Sequence, residues 1–381
     1  MPDTQLATQS IIEYRTEWID LGSLGRVRFK RPMVNPLRLR RRMLHALAHA
    51  FSEVMTRTDV YGFENIPAHG PVLILPNHVS NLDGIMVLAH YPRQIEMVGP
   101  GDFRMITLKD WMLKAYGVVP INRGRADTVN LKNIISHLKA GRELLMFPGG
   151  GMWEKRHFVA KDGAAYFSQL TNTPILPVGI SGAYLKSMDA FTGRRPRLTL
   201  RFGKLMPAVA PSRNRRTREA DLEAASREIM DRIWELMEPE EQAQYRRWEQ
   251  ENYRLQLEFV HNDTGELLAY DGPALPEMAA LAEFIAKPNL FRPMWENAGL
   301  NVDPFREQQR FFGPMELRFA ARDLAALLAG EYDAYVPYRM GLSAAEDIAE
   351  ALRLLQTTVV DWAIRHHARV RLVPVSVLPA E

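Results

Sequence analysis

His78 and Asp83, within Pro76-Asn77-His78-Val79-Ser80-Asn81-Leu82-Asp83, are the residues of this sequence best spaced to move a proton. An imidazole changes charge near neutral pH and serves as a general base. An aspartate five positions on, in the first turn of a following helix, can fold back onto one ring nitrogen. It then fixes the tautomer and stabilises the imidazolium that forms when the other nitrogen takes a proton. The chain has no cysteine, and no serine is obviously presented as a nucleophile. The pair therefore reads as a base for a substrate hydroxyl. The same spacing also arises where an aspartate merely caps a helix, so its context has to decide.

The elements that must position the pair belong to an α/β pattern. Short apolar runs at Val72–Leu75, Gly117–Ile121, Leu144–Phe147, Ile175–Ile180 and Leu198–Phe202 alternate with helical patterns such as Leu108–Ala115 and Val129–Lys139. Such runs predict a mainly parallel sheet covered by helices on both faces, with the site beyond the carboxyl ends of the strands. The first run ends directly before His78.

Three further segments follow in order: Gly117-Val118-Val119-Pro120-Ile121-Asn122-Arg123, then Phe147-Pro148-Gly149-Gly150-Gly151-Met152, then Ile175-Leu176-Pro177-Val178. With the His78 block they resemble the glycerophospholipid acyltransferases, the lysophosphatidic acid acyltransferase (PlsC-like) group, over about residues 40–240. That group shows NHxSxxD, a block ending in Arg, FPEGTR, and a V-P-V block. The resemblance implies acyl transfer from acyl-CoA or acyl carrier protein to a glycerolipid hydroxyl in phospholipid biosynthesis. It implies His78 as base, Asp83 as its orienter and no covalent acyl-enzyme. Asn77 and Ser80 complete the first block, Arg123 would hold an anionic group, and Lys161 would line the same site. No cofactor is implied.

The third block departs from the pattern: Gly149 and Met152 stand where the group has Glu and Arg, which help hold a phosphorylated acceptor. The run Gly149-Gly150-Gly151 looks instead like that of neutral-lipid (diacylglycerol-type) acyltransferases, which carry a Glu shortly after, here Glu154. Glycines let a ligand approach the backbone and offer N–H groups to an oxyanion. Beside lysophospholipid acylation stand three alternatives: a neutral-lipid acyltransferase, a non-catalytic lipid-binding protein, and a lipid or thioester hydrolase in which His78 activates water.

The net charge of +3 divides unevenly. Residues 238–381 carry 14 Lys+Arg against 23 Asp+Glu, net −9, and residues 1–237 carry 34 against 22, net +12. Eight basic and no acidic residues lie between Arg26 and Arg42, ahead of a helical apolar pattern through Leu44, Leu47, Ala48, Phe51, Val54 and Met55. This pattern suits either a core-packing helix or one lying on an anionic membrane. No apolar run is long enough to span a bilayer. Peripheral attachment on the cytoplasmic face is expected, the lack of cysteine fitting a reducing compartment.

The basic stretches come without a nucleic-acid-binding motif, so no nucleic-acid partner is expected. His45 and His49 have metal-like i, i+4 spacing but lack a third ligand, and no metal is expected. The expected organisation is an arm and basic neck over 1–42, an acyltransferase domain over 43–240, and an acidic, mainly helical extension over 241–381. Residues 1–25 are expected to form a loose arm, and Ser343-Ala-Ala-Glu346 has capping-box spacing. The extension would cap the catalytic part, form a homodimer, or contact another protein.

Overall fold

A computed structural model describes residues 12–20, 26–101, 107–125, 127–152, 161–184, 186–212, 214, 216–286, 288–300 and 310–377. Strands β1 (Ile12–Asp20) and β2 (Arg26–Val34) pair antiparallel, Ile12 opposite Val34 and Asp20 opposite Arg26. Part of the segment expected as a loose arm is therefore strand. Helix α1 (Pro36–Met55) follows, with Pro36 in its first turn and the Asn35 side chain accepting the Arg38 N–H at 3.0 Å. The basic residues from Arg38 to Arg42 are thus helical, not a neck.

The catalytic half then alternates β3 (Arg57–Tyr61), β4 (Val72–Pro76), α2 (Leu82–His90), β5 (Glu96–Pro100), α3 (Thr107–Tyr116), β6 (Val119–Ile121), α4 (Thr128–Lys139), β7 (Glu143–Leu145), α5 (Gly163–Thr171), β8 (Ile175–Ser181), α6 (Ser187–Phe191), β9 (Arg197–Phe202) and α7 (Arg218–Leu236). The seven strands form one sheet in the order β3-β9-β8-β4-β7-β5-β6. Every neighbouring pair is parallel except β8 with β9. This is the expected α/β architecture. Successive side chains of a strand point to opposite faces. Central β4 accordingly sends Val72 and Ile74 into one core and Leu73 and Leu75 into the other, all four fully buried. Burying such a side chain contributes about 1.5–3 kcal/mol, so the strand that leads to His78 is firmly held in the sheet.

Helix α8 (Pro239–Gln250) opens at Pro239. Met237 and Tyr245 belong to the core around β4, whereas the second core begins at Leu255. The C-terminal unit consists of β10 (Asn252–His261), β11 (Leu267–Leu268), α9 (Ala279–Ala286), α10 (Pro288–Asn297), α11 (Pro314–Ala329), α12 (Tyr335–Met340), α13 (Leu342–Leu354), α14 (Val360–Arg365) and β12 (Ala368–Val377). It is mainly helical, as expected, and adds an antiparallel sheet in the order β11-β10-β12. A π-helical turn at Leu355–Val359 joins α13 to α14. Helix α13 starts from Gly341 with no side-chain cap, so Ser343 is inside the helix and the expected capping box does not form.

One buried ion pair fastens α1 to the sheet. Arg41 donates to both Glu96 carboxylate oxygens at 2.9 and 2.7 Å, and to the Tyr116 and Gly117 carbonyls at 2.7 and 3.1 Å. Arg142 donates to the same carboxylate at 2.7 Å. Burial works to raise the Glu96 carboxyl, but the hydrogen bonds and charges of Arg41 and Arg142 outweigh it and hold the group below its usual range. Arg41, one of the eight basic residues expected in the neck, is committed to the interior. Removing one partner of such a pair leaves a buried charge uncompensated. Arg41→Met should lower the unfolding free energy by about 3–5 kcal/mol, with Arg41→Met/Glu96→Leu recovering much of the loss; denaturant melts of the double-mutant cycle measure both.

Candidate active site

His78 leaves the carboxyl end of β4 and Asp83 lies in the first turn of α2. The Asp83 carboxylate is fully buried, and its Oδ2 accepts three N–H groups: His78 Nδ1 at 2.8 Å, Val79 N at 2.7 Å and Ser80 N at 2.8 Å. The aspartate therefore folds the loop and orients the ring at once. With Nδ1–H donated to Asp83, the basic lone pair sits on Nε2. Phe147 stacks on the imidazole, ring centroids 3.8 Å apart and planes inclined by 16°. The third block thus fixes the histidine's plane while Asp83 fixes its rotation.

Asn77 and Ser80 hold this loop from behind. The Asn77 amide donates to the Ile180 carbonyl at 2.9 Å and accepts the Ile180 N–H at 2.7 Å, bridging the end of β4 to β8 like an added backbone rung. Ser80 Oγ accepts the Leu82 N–H at 3.2 Å and lies 3.1 Å from Ser187 Oγ of α6. Both side chains are buried, so the geometry gives them to loop shape rather than to a substrate surface.

Arg123 follows β6. Asp127 accepts from Asn122 N at 3.0 Å and from Asn130 N at 3.2 Å, which pins the Arg123 loop to the start of α4. The Arg123 guanidinium donates to the Gly150 carbonyl at 3.0 Å, so the second and third blocks meet. In the third block Gly150 N–H closes a turn onto Phe147 O at 3.0 Å, and Lys161 N–H reaches Pro148 O at 2.8 Å. This places Lys161 beside the glycines. Glu154 lies outside the described residues.

The space above the glycines is filled by α12. Gly150 and Gly151 have φ of +74° and +145°, conformations that side-chain-bearing residues rarely adopt. A Cβ on Gly150 would stand 2.0 Å from Tyr338 Oη, and one on Gly124 would stand 2.4 Å from the Ala334 carbonyl. Met152, where the family pattern has Arg, packs against the C-terminal core. Arg125 pairs with Asp333 across the same contact. The C-terminal unit thus lies against the Arg123 loop and the glycine turn. Sequence reasoning missed Tyr335, Tyr338 and Arg339. Glycines standing where the pattern carries charged side chains were the available signal that another part of the chain fills the space.

Glu241 of α8 faces the loop from the other side. Its carboxylate accepts the Gly182 N–H at 2.9 Å. Burial, and behind it the Asp83 charge, push it up from the usual 4.5 to about 7. Neighbouring Tyr245 is buried, hydrogen-bonds Asn77, and its hydroxyl is raised well above the usual range, chiefly by burial. His45 and His49 hydrogen-bond the Tyr91 and Ala89 carbonyls at 2.9 and 3.2 Å, which ties α1 to the end of α2.

Residues 57–181 match the Acyltransferase family model, a span that contains all four blocks. Over that stretch the chain is similar to acyltransferases. Among solved structures the chain is similar to the crystal structure of the 1-acyl-sn-glycerophosphate (LPA) acyltransferase PlsC from Thermotoga maritima. The two are 20% identical with a TM-score of 0.37, covering 50% of this chain and 78% of that one.

Glu241 gives a testable pH dependence. Its folded pKa lies above its unfolded value, so between pH 4.5 and about 7 the folded state holds the extra proton. Stability therefore falls as pH rises through that window, and the full penalty, roughly 3 kcal/mol, applies above it. Glu241→Gln should match the wild type near pH 4.5 and exceed it by about that amount at pH 8; a difference independent of pH in denaturant melts would refute the assignment.

Proposed function

We propose that this acyltransferase moves a fatty acyl group from a thioester, acyl-CoA or acyl carrier protein, to a hydroxyl of a glycerolipid, a lysophospholipid such as 1-acylglycerol-3-phosphate being the leading acceptor. The observation that carries the reading is the His78–Asp83 pair at the end of β4, stacked on Phe147. His78 Nε2 takes the proton of the acceptor hydroxyl as its oxygen attacks the thioester carbonyl. Asp83 stabilises the imidazolium formed. When the tetrahedral intermediate collapses, the C–S bond breaks and the imidazolium proton passes to the departing thiolate. Backbone N–H groups near Gly149–Gly151 or Arg123 would meet the developing oxyanion. Ser80 Oγ is buried and occupied by the Leu82 N–H, which favours the substrate's hydroxyl over an enzyme serine as nucleophile.

Helix α1 supports attachment to a lipid surface at the cytoplasmic face. Leu44, Ala48 and Phe51 pack inward, while Leu39, Met43, Leu47 and Val54, 38%, 65%, 62% and 60% exposed, run as a stripe along the outer side. The helix thus packs on its inner face and presents an apolar stripe on its outer one. Arg40 is exposed beside the stripe, a cation for anionic headgroups. Phe191 of α6, 59% exposed, packs on Phe51 at 5.3 Å, and the same short helix touches Ser80 through Ser187. The apolar surface thus runs from α1 to the edge of the His78 loop. Among the described residues no helix is long and apolar enough to cross a membrane.

Purified His78→Ala should lose acyl transfer by about 10²–10⁴-fold while still folding cooperatively. Wild-type turnover in that variant would sink the mechanism, and thiol release without an acylated lipid would identify a hydrolase instead. Met43→Glu/Leu47→Glu should cut sedimentation with phosphatidylglycerol vesicles by at least about tenfold while leaving the fold intact.

A further inference from the structure

A second carboxyl, Glu241, closes the His78 loop from its inner side, and the proton transfer described above does not use it. Glu241 lies in the first turn of α8 and is 6% exposed. Its Oε2 accepts the Gly182 N–H at 2.9 Å. The start of α8 is fixed to the same end of β8, because the Glu238 N–H donates to Ser181 Oγ at 2.8 Å. One turn further along the helix, buried Tyr245 hydrogen-bonds Asn77. Asn77 is itself tied to Ile180 in both directions and directly precedes His78. Glu241 and Asp83 thus belong to one buried assembly built from the ends of β4 and β8 and the first turns of α2 and α8.

The two carboxyls are not equally provided for. Asp83 Oδ2 gathers three N–H groups, whereas Glu241 Oε2 accepts from Gly182. Among the described residues the other oxygen of each, Asp83 Oδ1 and Glu241 Oε1, is buried without a hydrogen-bond partner. A buried carboxylate is costly where its lone pairs stay empty, and two negative charges in one low-dielectric space repel. Asp83, the better filled, therefore keeps its charge, and Glu241 is the group that takes a proton.

The surroundings agree with that division. Burial, and then the Asp83 charge, push the Glu241 carboxyl up to about 7, into the range where an imidazole titrates. Tyr245, on the same helix, has its hydroxyl raised well above the usual range, chiefly by burial. Arg201 of β9, the cation at the start of α8, is engaged by Glu238 at 2.7 Å. Tyr184, beyond Gly182, packs against the same core. An imidazolium on His78 places a positive charge directly against Asp83. A carboxylate at Glu241 favours that imidazolium, and a neutral carboxyl withdraws the support.

We propose that Glu241 is a positioning residue that acts through Asp83: its charge state sets how strongly His78 holds a proton, the base being stronger when Glu241 is ionised. No proton passes between the two groups, and the coupling is one of charge through the buried loop. Its effect on turnover rests on the acyltransferase reading, while the coupling itself is a property of the free protein.

Two measurements on the full chain test this. NMR titration of the His78 imidazole, identified as the signal that His78→Ala removes, reads the coupling without substrate. Glu241→Gln keeps an oxygen for the Gly182 N–H and removes the charge. His78 should then release its proton roughly half a pH unit lower than in wild type, over a narrower range. The acid limb of kcat/KM for acyl transfer should move down by the same amount. Glu241→Met, which removes the charge and the amide alike, should give the same direction of shift and serves if the amide disturbs the loop. Glu240→Gln removes a carboxylate from the neighbouring, exposed position and should move neither measurement.

Identical His78 titrations in wild type and both Glu241 variants, or an equal shift in Glu240→Gln, would overturn the proposal. A shifted titration in a protein that transfers no acyl group to any glycerolipid would keep the coupling and overturn the proposed function. Acyl transfer with an unshifted titration and an unshifted acid limb would do the reverse.

Discussion

The site is organised around a single oxygen, Asp83 Oδ2, which gathers the imidazole N–H and two successive backbone N–H groups. A buried carboxylate is expensive unless its lone pairs are filled. The chain fills this oxygen by curling the 78–83 loop around it, so loop shape and histidine orientation share one cause. Other contacts follow from that arrangement. Asn77 can bridge to Ile180 because the loop turns immediately after it, and Ser80 can touch α6 because its own N–H is held inward. The neutral side of the site, where Glu241 sits near Asp83, reflects the same low-dielectric interior.

The legible parts of the sequence were those where burial imposes a pattern. β4 and β8 are buried along their whole length and read as continuous apolar runs. Two strands of the sheet escaped. β3 (RTDVY) is a half-exposed edge strand, and β5 (EMVGP) opens with the charged residue that Arg41 neutralises. Polar residues at such places hide a strand from any hydrophobicity pattern. β10 carried its signal openly, with Leu255, Leu257 and Phe259 alternating, but it follows a helix without a break and was overlooked. In the candidate site, His78, Asp83 and Arg123 stand out in the sequence because each belongs to a spaced block. Arg339 belongs to none. It is positioned only by tertiary docking, and from sequence it is one arginine beside two tyrosines.

The charge division also changes meaning. Basic residues of the catalytic half face three directions: Arg41 into the core, Arg40 outward beside an apolar stripe, and Arg123 and Arg125 toward the C-terminal unit. The acidic unit answers the last of these with Asp333 at the edge of the contact, yet it sends a cation, Arg339, to the centre. The halves carry opposite net charges, and Arg125 and Asp333 pair across their contact. Net charge describes steering, and individual side chains describe chemistry.

The sheet of the C-terminal unit has a temporal consequence. β10 and β12 pair along ten residues, from Asn252 opposite Val377 to His261 opposite Ala368, with all of α9 to α14 between them. During synthesis the acyltransferase domain emerges whole, loop and imidazole included, well before β12 exists to close that sheet. Long-range pairing of this kind is slow to form and late to be rewarded. The contacts that α12 makes over the glycine turn are thus among the last for which the chain has all its parts.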